Sequence, residues 1–117
     1  MDYNEGGSLP FHFTPIYFLR GIMNESAYQR RLIRKLEIMF PKCFILKNDP
    51  HENQGMPDIL ILFGKYWAML EIKRSDKEPV QPNQRHYVNL FDEMSFASFI
   101  SPEVEVEVLN ELRRALG

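Results

Sequence analysis

The stretch PDILILFGKYWAMLEIK, residues 57 to 73, constrains the fold of this chain more than any other part of it. Two apolar runs meet there at Gly64 and Lys65, a two-residue loop with Gly in its first position, which is typical of a type II′ turn. Such a loop makes Phe63 face Tyr66 and thereby fixes every other pair across the two strands. The sequence therefore predicts a β-hairpin with a defined register.

This register places two acidic side chains opposite each other at the open end of the hairpin. Asp58 lies across from Glu71 on the same face, and directly facing residues have Cβ atoms roughly 4.5 to 5.5 Å apart. Both faces are otherwise largely apolar: Leu60, Leu62, Trp67 and Met69 share the Asp58 face, and Ile59, Ile61, Ala68 and Leu70 share the other. Such a hairpin is expected at the centre of a sheet covered by helices on both sides.

Two carboxylates at the end of a buried apolar face are costly unless they are neutralised. Protonation of one carboxyl is one remedy, and a bound cation is another. Lys73 lies on the same face as Glu71, but a single ammonium group cannot easily serve both carboxylates. Mg²⁺ takes oxygen ligands, typically one or two carboxylates with water and phosphate oxygens. Asp58, Glu71 and the carbonyl of Ile72 would make such a site, with Lys73 beside it.

The spacing of apolar residues predicts the elements around the hairpin. Helical spacing from Glu25 to Phe40, with Asn24 or Ser26 as N-cap, is followed by Pro41, which ends the helix. Further predicted elements are a strand at 43–47, a helix at 83–94 and a strand at 96–100.

The last segment, SPEVEVEVLNELRRALG, alternates Glu and Val in the manner of a strand. Ser101 as N-cap, Pro102 at the first helical position and apolar residues at four-residue intervals from Val104 to Leu116 favour a helix instead. The predicted order is α-β-β-β-α-β-α, an α/β protein.

Composition limits the class of protein and its compartment. A chain of 117 residues is expected to form one domain, at 23–117, preceded by an aromatic-rich arm at 1–22. The single Cys43 rules out an intramolecular disulfide and fits a reducing cytoplasm. No apolar run approaches the roughly 18 residues that span a membrane, and the acidic N-terminus argues against a signal peptide. We therefore expect a cytoplasmic protein without a membrane partner.

Pro57-Asp58 followed by Glu71-Ile72-Lys73 resembles the signature of the PD-(D/E)XK nuclease superfamily. Together ESAYQRRLIRKLE, GMPDILILFGKYWAMLEIK and QPNQRHYV are similar to VRR-NUC-type domains and small phage-encoded Holliday-junction resolvases, a resemblance that covers roughly residues 24 to 116. It implies a restriction-endonuclease-like α-β-β-β-α-β(-α) core with a mixed sheet flanked by helices. The connection RSDKEPVQPNQ departs from the pattern, because no Ser N-cap precedes Gln84.

The resemblance also implies an activity: Mg²⁺-dependent hydrolysis of DNA phosphodiester bonds, with Mn²⁺ as a substitute, on branched DNA such as Holliday junctions. A phage-encoded enzyme of this kind would act in the host cytoplasm in DNA recombination. Lys73 would orient or deprotonate the attacking water and stabilise the transition state. Glu25 would bind a second ion or a water on the metal, and Gln84 occupies an auxiliary position of the family's motif.

Each of these residues also has a simpler explanation. Asp58 and Lys73 fit the ends of strands, and Glu25 fits a helix first turn, where the macrodipole favours any acid. Gln84 is as readily explained by an ordinary helical surface. Only Glu71, placed mid-strand between apolar neighbours, is hard to explain without a function.

Basic residues indicate a nucleic-acid interface. Twelve of the 14 Lys and Arg lie between Arg20 and Arg85, whereas the segment from Asp92 onward is acidic. Residues expected to contact DNA phosphates are Arg30, Arg31, Arg34 and Lys35 on the first helix, with Lys47 and Arg85. A solvated helix face explains these charges equally well.

Two functions of different class follow. The first is a structure-specific endonuclease that works as a homodimer, because resolving a junction takes two incisions and one domain has one site. The apolar arm LPFHFTPIYFL would pack on its own domain or be exchanged with the partner. The second is a catalytically silent relative that binds DNA or serves in assembly. The set of Glu25, Asp58, Glu71 and Lys73 favours the first.

Overall fold

The computed structural model describes residues 25–49, 51–52 and 54–117. The predicted order of elements is confirmed, and their bounds are α1 Glu25–Met39, β1 Phe44–Lys47, β2 Ile59–Phe63, β3 Tyr66–Ile72, α2 Pro82–Met94, β4 Ala97–Ile100, a 3₁₀ turn Pro102–Val104 and α3 Glu105–Leu116. The predicted arm at 1–22 and the start of the domain at 23 lie outside these residues.

The four strands form one mixed sheet in the order β1-β2-β3-β4, with the hairpin of β2 and β3 at its centre. β1 pairs with β2 and β2 with β3 in antiparallel orientation, whereas β4 runs parallel to β3. Phe63 pairs with Tyr66 as predicted. Gly64 has a positive φ of 62°, whereas the φ of Lys65 is negative. A type II′ turn requires this combination at its two central positions.

One face of the sheet forms the hydrophobic core. Ile59, Ile61, Ala68, Leu70 and Ile72 are at most 1% exposed on this face. They belong to one apolar cluster with side chains of α1 and α3: Tyr28, Leu32, Leu36, Val108, Leu109, Leu112 and Leu116. α1 and α3 therefore cover this face together.

The opposite face is covered over half its width. α2 packs there against β3 and β4, where the rings of Trp67 and Phe91 lie 6.3 Å apart, edge to face. On the same face Phe44 is 62% exposed, and Leu46 and Leu62 are exposed as well. Helices on both faces were expected across the whole hairpin. The difference arises because α2 connects β3 to β4 and so packs over those two parallel strands.

The helix starts follow the expectation in part. α1 begins at Glu25 as predicted, so Ser26 lies inside the helix and is not its N-cap, while the alternative cap Asn24 lies outside the described residues. The C-terminal helix opens with a 3₁₀ turn, and the Ser101 side chain makes no capping hydrogen bond. α2 begins at Pro82, and no Ser caps it. The Gln84 side chain takes that role in part, since its Oε1 accepts a hydrogen bond from the Gln81 N–H at 3.0 Å. Within the described residues, no helix is long and apolar enough to cross a membrane.

Candidate functional site

Asp58 and Glu71 come together at the end of the sheet face on which α2 packs. Asp58 immediately precedes β2, and its Oδ2 accepts a hydrogen bond from the Ile72 N–H at 2.7 Å. This bond extends the pairing of β2 with β3 by one hydrogen bond, in which the Asp58 side chain is the acceptor instead of a backbone carbonyl. It places the Asp58 carboxylate against the backbone that carries Glu71, as the predicted register requires.

Glu71 is a buried acid, 5% exposed near the end of β3. Burial and then the charge of Asp58 raise the pKa of Glu71 to about 8, and Lys73 opposes this rise. A hydrogen bond between the two carboxyls also favours the protonated form of Glu71. Burial likewise raises the pKa of Asp58, although the Ile72 N–H and Lys73 lower it. The metal-free pair therefore relieves its repulsion by holding a proton, the first of the two remedies.

Lys73 is 5% exposed and directly follows β3. Its Nζ donates hydrogen bonds to Gln84 Oε1 at 2.8 Å and to the Pro79 carbonyl at 3.1 Å. Glu78 adds a carboxylate oxygen 3.9 Å from the same Nζ. The ammonium group is thus held beside the two acids by neutral acceptors and one outer carboxylate.

Gln84 joins the acid and the base of this cluster. Its Oε1 accepts from Lys73 and from the Gln81 N–H, which leaves Nε2 to donate to Glu71 Oε2 at 3.1 Å. Because two N–H groups donate to the same atom of the Gln84 amide, that atom must be the oxygen. The N-terminus of α2 therefore positions Lys73 relative to Glu71 through a single side chain.

Glu25 is the first residue of α1 and lies within electrostatic reach of the pair. Burial raises the pKa of Glu25 first, followed by the charges of Asp58 and Glu78, while Lys73 and Arg74 lower it. The structure thus brings together Glu25, Asp58, Glu71, Lys73 and Gln84, all of the predicted catalytic residues.

These residues fit a hard divalent cation. The cluster offers carboxylate oxygens as metal ligands and has more acidic than basic groups. The Lys73 ammonium donates its hydrogen bonds to Gln84 and Pro79 and not to the two carboxylates. Within the described residues, no three His, Cys, Asp or Glu side chains converge on one metal position. Mg²⁺ is usually bound by only one or two carboxylates, with water and phosphate completing the shell. Asp58 and Glu71 meet that requirement, and the bond to the Ile72 N–H keeps the backbone of Ile72 at the site.

The basic residues predicted on α1 fall into two groups. All four are exposed, and Arg30 and Arg34 form the first group. Lys35 in addition forms an ion pair with the buried Glu105 of α3, which also accepts a hydrogen bond from Tyr28 at 2.8 Å. Arg31 lies over the ring of Tyr28 on the same helix, 5.8 Å from its centre. Arg31 and Lys35, the second group, therefore also make contacts within the fold.

The other two predicted DNA contacts lie on the α2 side of the sheet or at its edge. Lys47 ends the edge strand β1 and is exposed. Arg85 follows Gln84 on α2, and its guanidinium lies 4.9 Å from the centre of the Phe99 ring.

Sequence reasoning missed the connection between β3 and α2. Glu78 accepts a hydrogen bond from the Arg74 N–H at 2.8 Å and, with Pro79, helps to hold Lys73. The only signal in the sequence is the i,i+4 spacing of Arg74 and Glu78, which is weak outside a helix.

Comparison of the chain with protein-family models, with curated proteins and with solved structures yields no match. The function is therefore inferred from the chemistry of the cluster.

Proposed function

We propose that this chain is a metal-dependent endonuclease of the PD-(D/E)XK type that hydrolyses phosphodiester bonds in branched DNA, in the manner of VRR-NUC-type and phage Holliday-junction-resolving enzymes. The observation that carries the proposal is the cluster in which buried Glu71 faces Asp58 and is linked through Gln84 to buried Lys73. Burying one acid and one base beside a second, half-buried acid is costly for a structural role, whereas catalytic sites commonly hold groups with such perturbed pKa values.

Asp58, Glu71 and the carbonyl of Ile72 would hold Mg²⁺ or Mn²⁺, with Glu25 near enough to bind a second ion or a water. When bound, the ion would supply positive charge at the scissile phosphate and lower the pKa of a water. Binding replaces the proton on Glu71, so the affinity for the ion is expected to rise with pH toward 8.

Lys73 acts on the attacking water and on the phosphate. Its ammonium group has a fixed position because Gln84 and the Pro79 carbonyl accept two of its protons, which leaves the third for a water or a phosphate oxygen. Gln84 is a positioning residue, because it acts through Lys73 and Glu71. Cleavage of a labelled four-way junction in Mg²⁺, and its absence in EDTA, tests the proposal.

One observation favours a different function, a silent DNA-binding or assembly protein of the same fold. In the part of the chain that the structure describes, no three acidic or imidazole side chains converge on a metal position. Such a protein would bind the same DNA with equal affinity in EDTA and in Mg²⁺, and would leave it uncut.

Arg30 and Arg34 are proposed to contact DNA phosphates from α1. Replacing both by Ala is expected to weaken binding to all DNA sequences about equally, and to reduce the slope of log affinity against log salt by roughly one for each phosphate interaction removed. The matched control replaces Arg113 and Arg114, in the last turn of α3, by Ala. Gly117 ends that helix beside Tyr66 at the hairpin turn, away from Asp58. Equal salt slopes for both double variants would mean that Arg30 and Arg34 are ordinary solvated surface charges that do not contact DNA.

The proposed enzyme works as a homodimer, since two incisions in a junction need two sites. The expected result is a dimer for the full chain and weaker self-association for a chain that starts at Met23, measured by light scattering across the micromolar range. A full chain that stays monomeric at high micromolar concentration yet cuts junctions symmetrically would contradict the dimer.

A further inference from the structure

The half of the second sheet face that α2 leaves uncovered carries a continuous apolar surface. Strand pairing aligns its side chains in two rows across β1, β2 and β3, which together form the open face: Phe44, Leu62 and Trp67 in one row, and Leu46, Leu60 and Met69 in the other. Phe44 is 62% exposed, Leu46 45% and Leu62 37%, and the other three are half-buried. Apolar side chains that remain together in water mark a site of interaction.

The open face is bounded by α2 on one side and leads to the candidate site. The ring of Phe91 on α2 lies 6.3 Å from Trp67 and stacks with Tyr87 at 6.0 Å. Along the strands, the next row on the same face consists of Asp58 and Glu71. The open face is therefore a groove with an aromatic wall that ends at the two acids.

A cavity of about 180 Å³ opens at the end of this groove, beside the residues that precede Asp58. Its lining is mostly apolar and includes Leu46, Met56, Pro57, Leu60 and Met69. An apolar cavity of roughly 150 Å³ holds one benzene ring. The open face therefore offers space for an aromatic side chain.

The arm contains a segment of matching chemistry, residues 9–19, which lie outside the described residues. Residues 6–19 form the longest run without Asp, Glu, Lys or Arg in a chain that is 26% charged. Leu9, Phe11 and Phe13 alternate with less apolar residues, which predicts an extended segment with one apolar side. Ile16 and Phe18 fall on the other side and stay available to the partner copy of the proposed homodimer.

The arm joins the domain close enough to the open face to reach it within one chain. α1 begins at Glu25, which lies within electrostatic reach of Asp58. The connection from Leu19 to Glu25 spans at most roughly 20 Å, and the open face extends about 13 Å from Asp58 along β2 to Leu62. The arm therefore reaches this face without a second copy.

The size of the open face also favours the arm over the surface of a second copy. Its six side chains expose an area on the order of a few hundred Å², whereas each partner of a standard interface contributes roughly 800 Å². A short segment can dock on the smaller area, because its attachment to the domain gives it a high effective concentration.

We propose that arm residues 9–19 dock in an extended conformation on the open face of their own domain, with one Phe ring in the cavity beside Pro57. The docked arm forms the wall of the candidate site opposite α2. This inference does not rest on the proposed function, because a silent protein with this fold would have the same face to cover.

Trp67 is the only tryptophan of the chain and lies in the open face, so its fluorescence reports whether the face is covered. The test compares the full chain with the full-length double variant Phe11→Asp and Phe13→Asp. The ratio of docked to undocked arm is expected to fall at least about tenfold, because each lost ring removes apolar burial worth that factor or more. Trp67 emission then shifts to longer wavelength and acrylamide quenches it more readily, while circular dichroism is unchanged.

Phe44→Asp, on the open face, is expected to expose Trp67 in the same way. It should add little when combined with the arm variant, since both changes remove the same contact. The matched control is Ile38→Asp, because Ile38 is 79% exposed on α1, which packs on the other face of the sheet. The control should leave the Trp67 signal unaltered.

Equal Trp67 emission and quenching in the full chain and in the arm variant would overturn the proposal. So would a Trp67 signal that changes on dilution from micromolar to nanomolar concentration, because a face covered by a second copy, or by its arm, is uncovered when the copies separate. A signal that is independent of concentration and lost in the arm variant supports docking within one chain. DNA cleavage is measured separately, so failure of the nuclease leaves this result unaffected.

Discussion

Glu71→Gln is expected to abolish DNA cleavage and, at the same time, to stabilise the metal-free protein above pH 8. Cleavage fails because the variant loses the charge of one of two carboxylates that would hold the ion. The fold is retained, since the amide oxygen of the substituted side chain can still accept the hydrogen bond that Gln84 Nε2 now donates to Glu71.

The stability effect follows from the direction of the pKa shift. The pKa of Glu71 is raised from 4.5 to about 8 on folding, so the folded protein holds a proton between those values that the unfolded chain has lost. The stabilisation associated with that proton is complete below pH 4.5 and is lost as the pH rises to about 8. Gln cannot ionise and is spared this loss.

Chemical denaturation in EDTA at pH 5 and pH 8.5 measures the effect. We expect similar free energies of unfolding for the two proteins at pH 5, and a variant more stable by at least about 1 kcal/mol at pH 8.5, the equivalent of roughly one pKa unit. Glu111→Gln, on the exposed side of α3, is the control and should show no such pH dependence. A Glu71→Gln variant that is less stable at pH 8.5 would mean that the two acids do not repel each other.

Lys73→Ala is expected to reduce cleavage at least about a hundredfold while metal binding persists. The ligands Asp58 and Glu71 remain in place, but the attacking water and the transition state lose their cationic neighbour. A moderate loss of stability, about 1 to 2 kcal/mol, accompanies the change because Gln84 Oε1 and the Pro79 carbonyl lose a donor.

Single-turnover cleavage separates this role from a merely structural one, together with Mn²⁺ binding measured by calorimetry. Lys65→Ala, at the exposed hairpin turn, is the control for removing a positive charge. A folded Lys73→Ala protein that binds Mn²⁺ and cuts DNA within a fewfold of the unaltered chain would exclude Lys73 from the chemistry.

Much of the cluster was predictable because one turn sets one register. Gly64 in its left-handed conformation fixes the pairing of β2 with β3, and from it the approach of Asp58 to Glu71 follows. The order of elements was predictable for a similar reason, since apolar residues recur with the period of each helix and strand.

The remaining contacts depend on irregular backbone, where no period operates. The Pro79 carbonyl and Glu78 reach Lys73 from a connection whose path is set by tertiary packing. Ser101 was predicted as a helix cap, but a 3₁₀ turn follows it and its hydroxyl faces no capping partner. The open half of the second sheet face, with Phe44 exposed, was not foreseen because both hairpin faces are equally apolar in sequence.

The most direct measurement is cleavage of a panel of labelled four-way junctions, flaps, duplexes and single strands by the full chain. The reactions contain Mg²⁺, Mn²⁺ or EDTA, and Asp58→Ala and Glu71→Gln are tested in parallel. The proposed function predicts cuts in branched DNA with either ion, no cuts in EDTA, and none by either variant. A full chain that leaves every substrate intact with both ions, or an Asp58→Ala variant that cuts undiminished in the absence of contaminating nuclease, would contradict it.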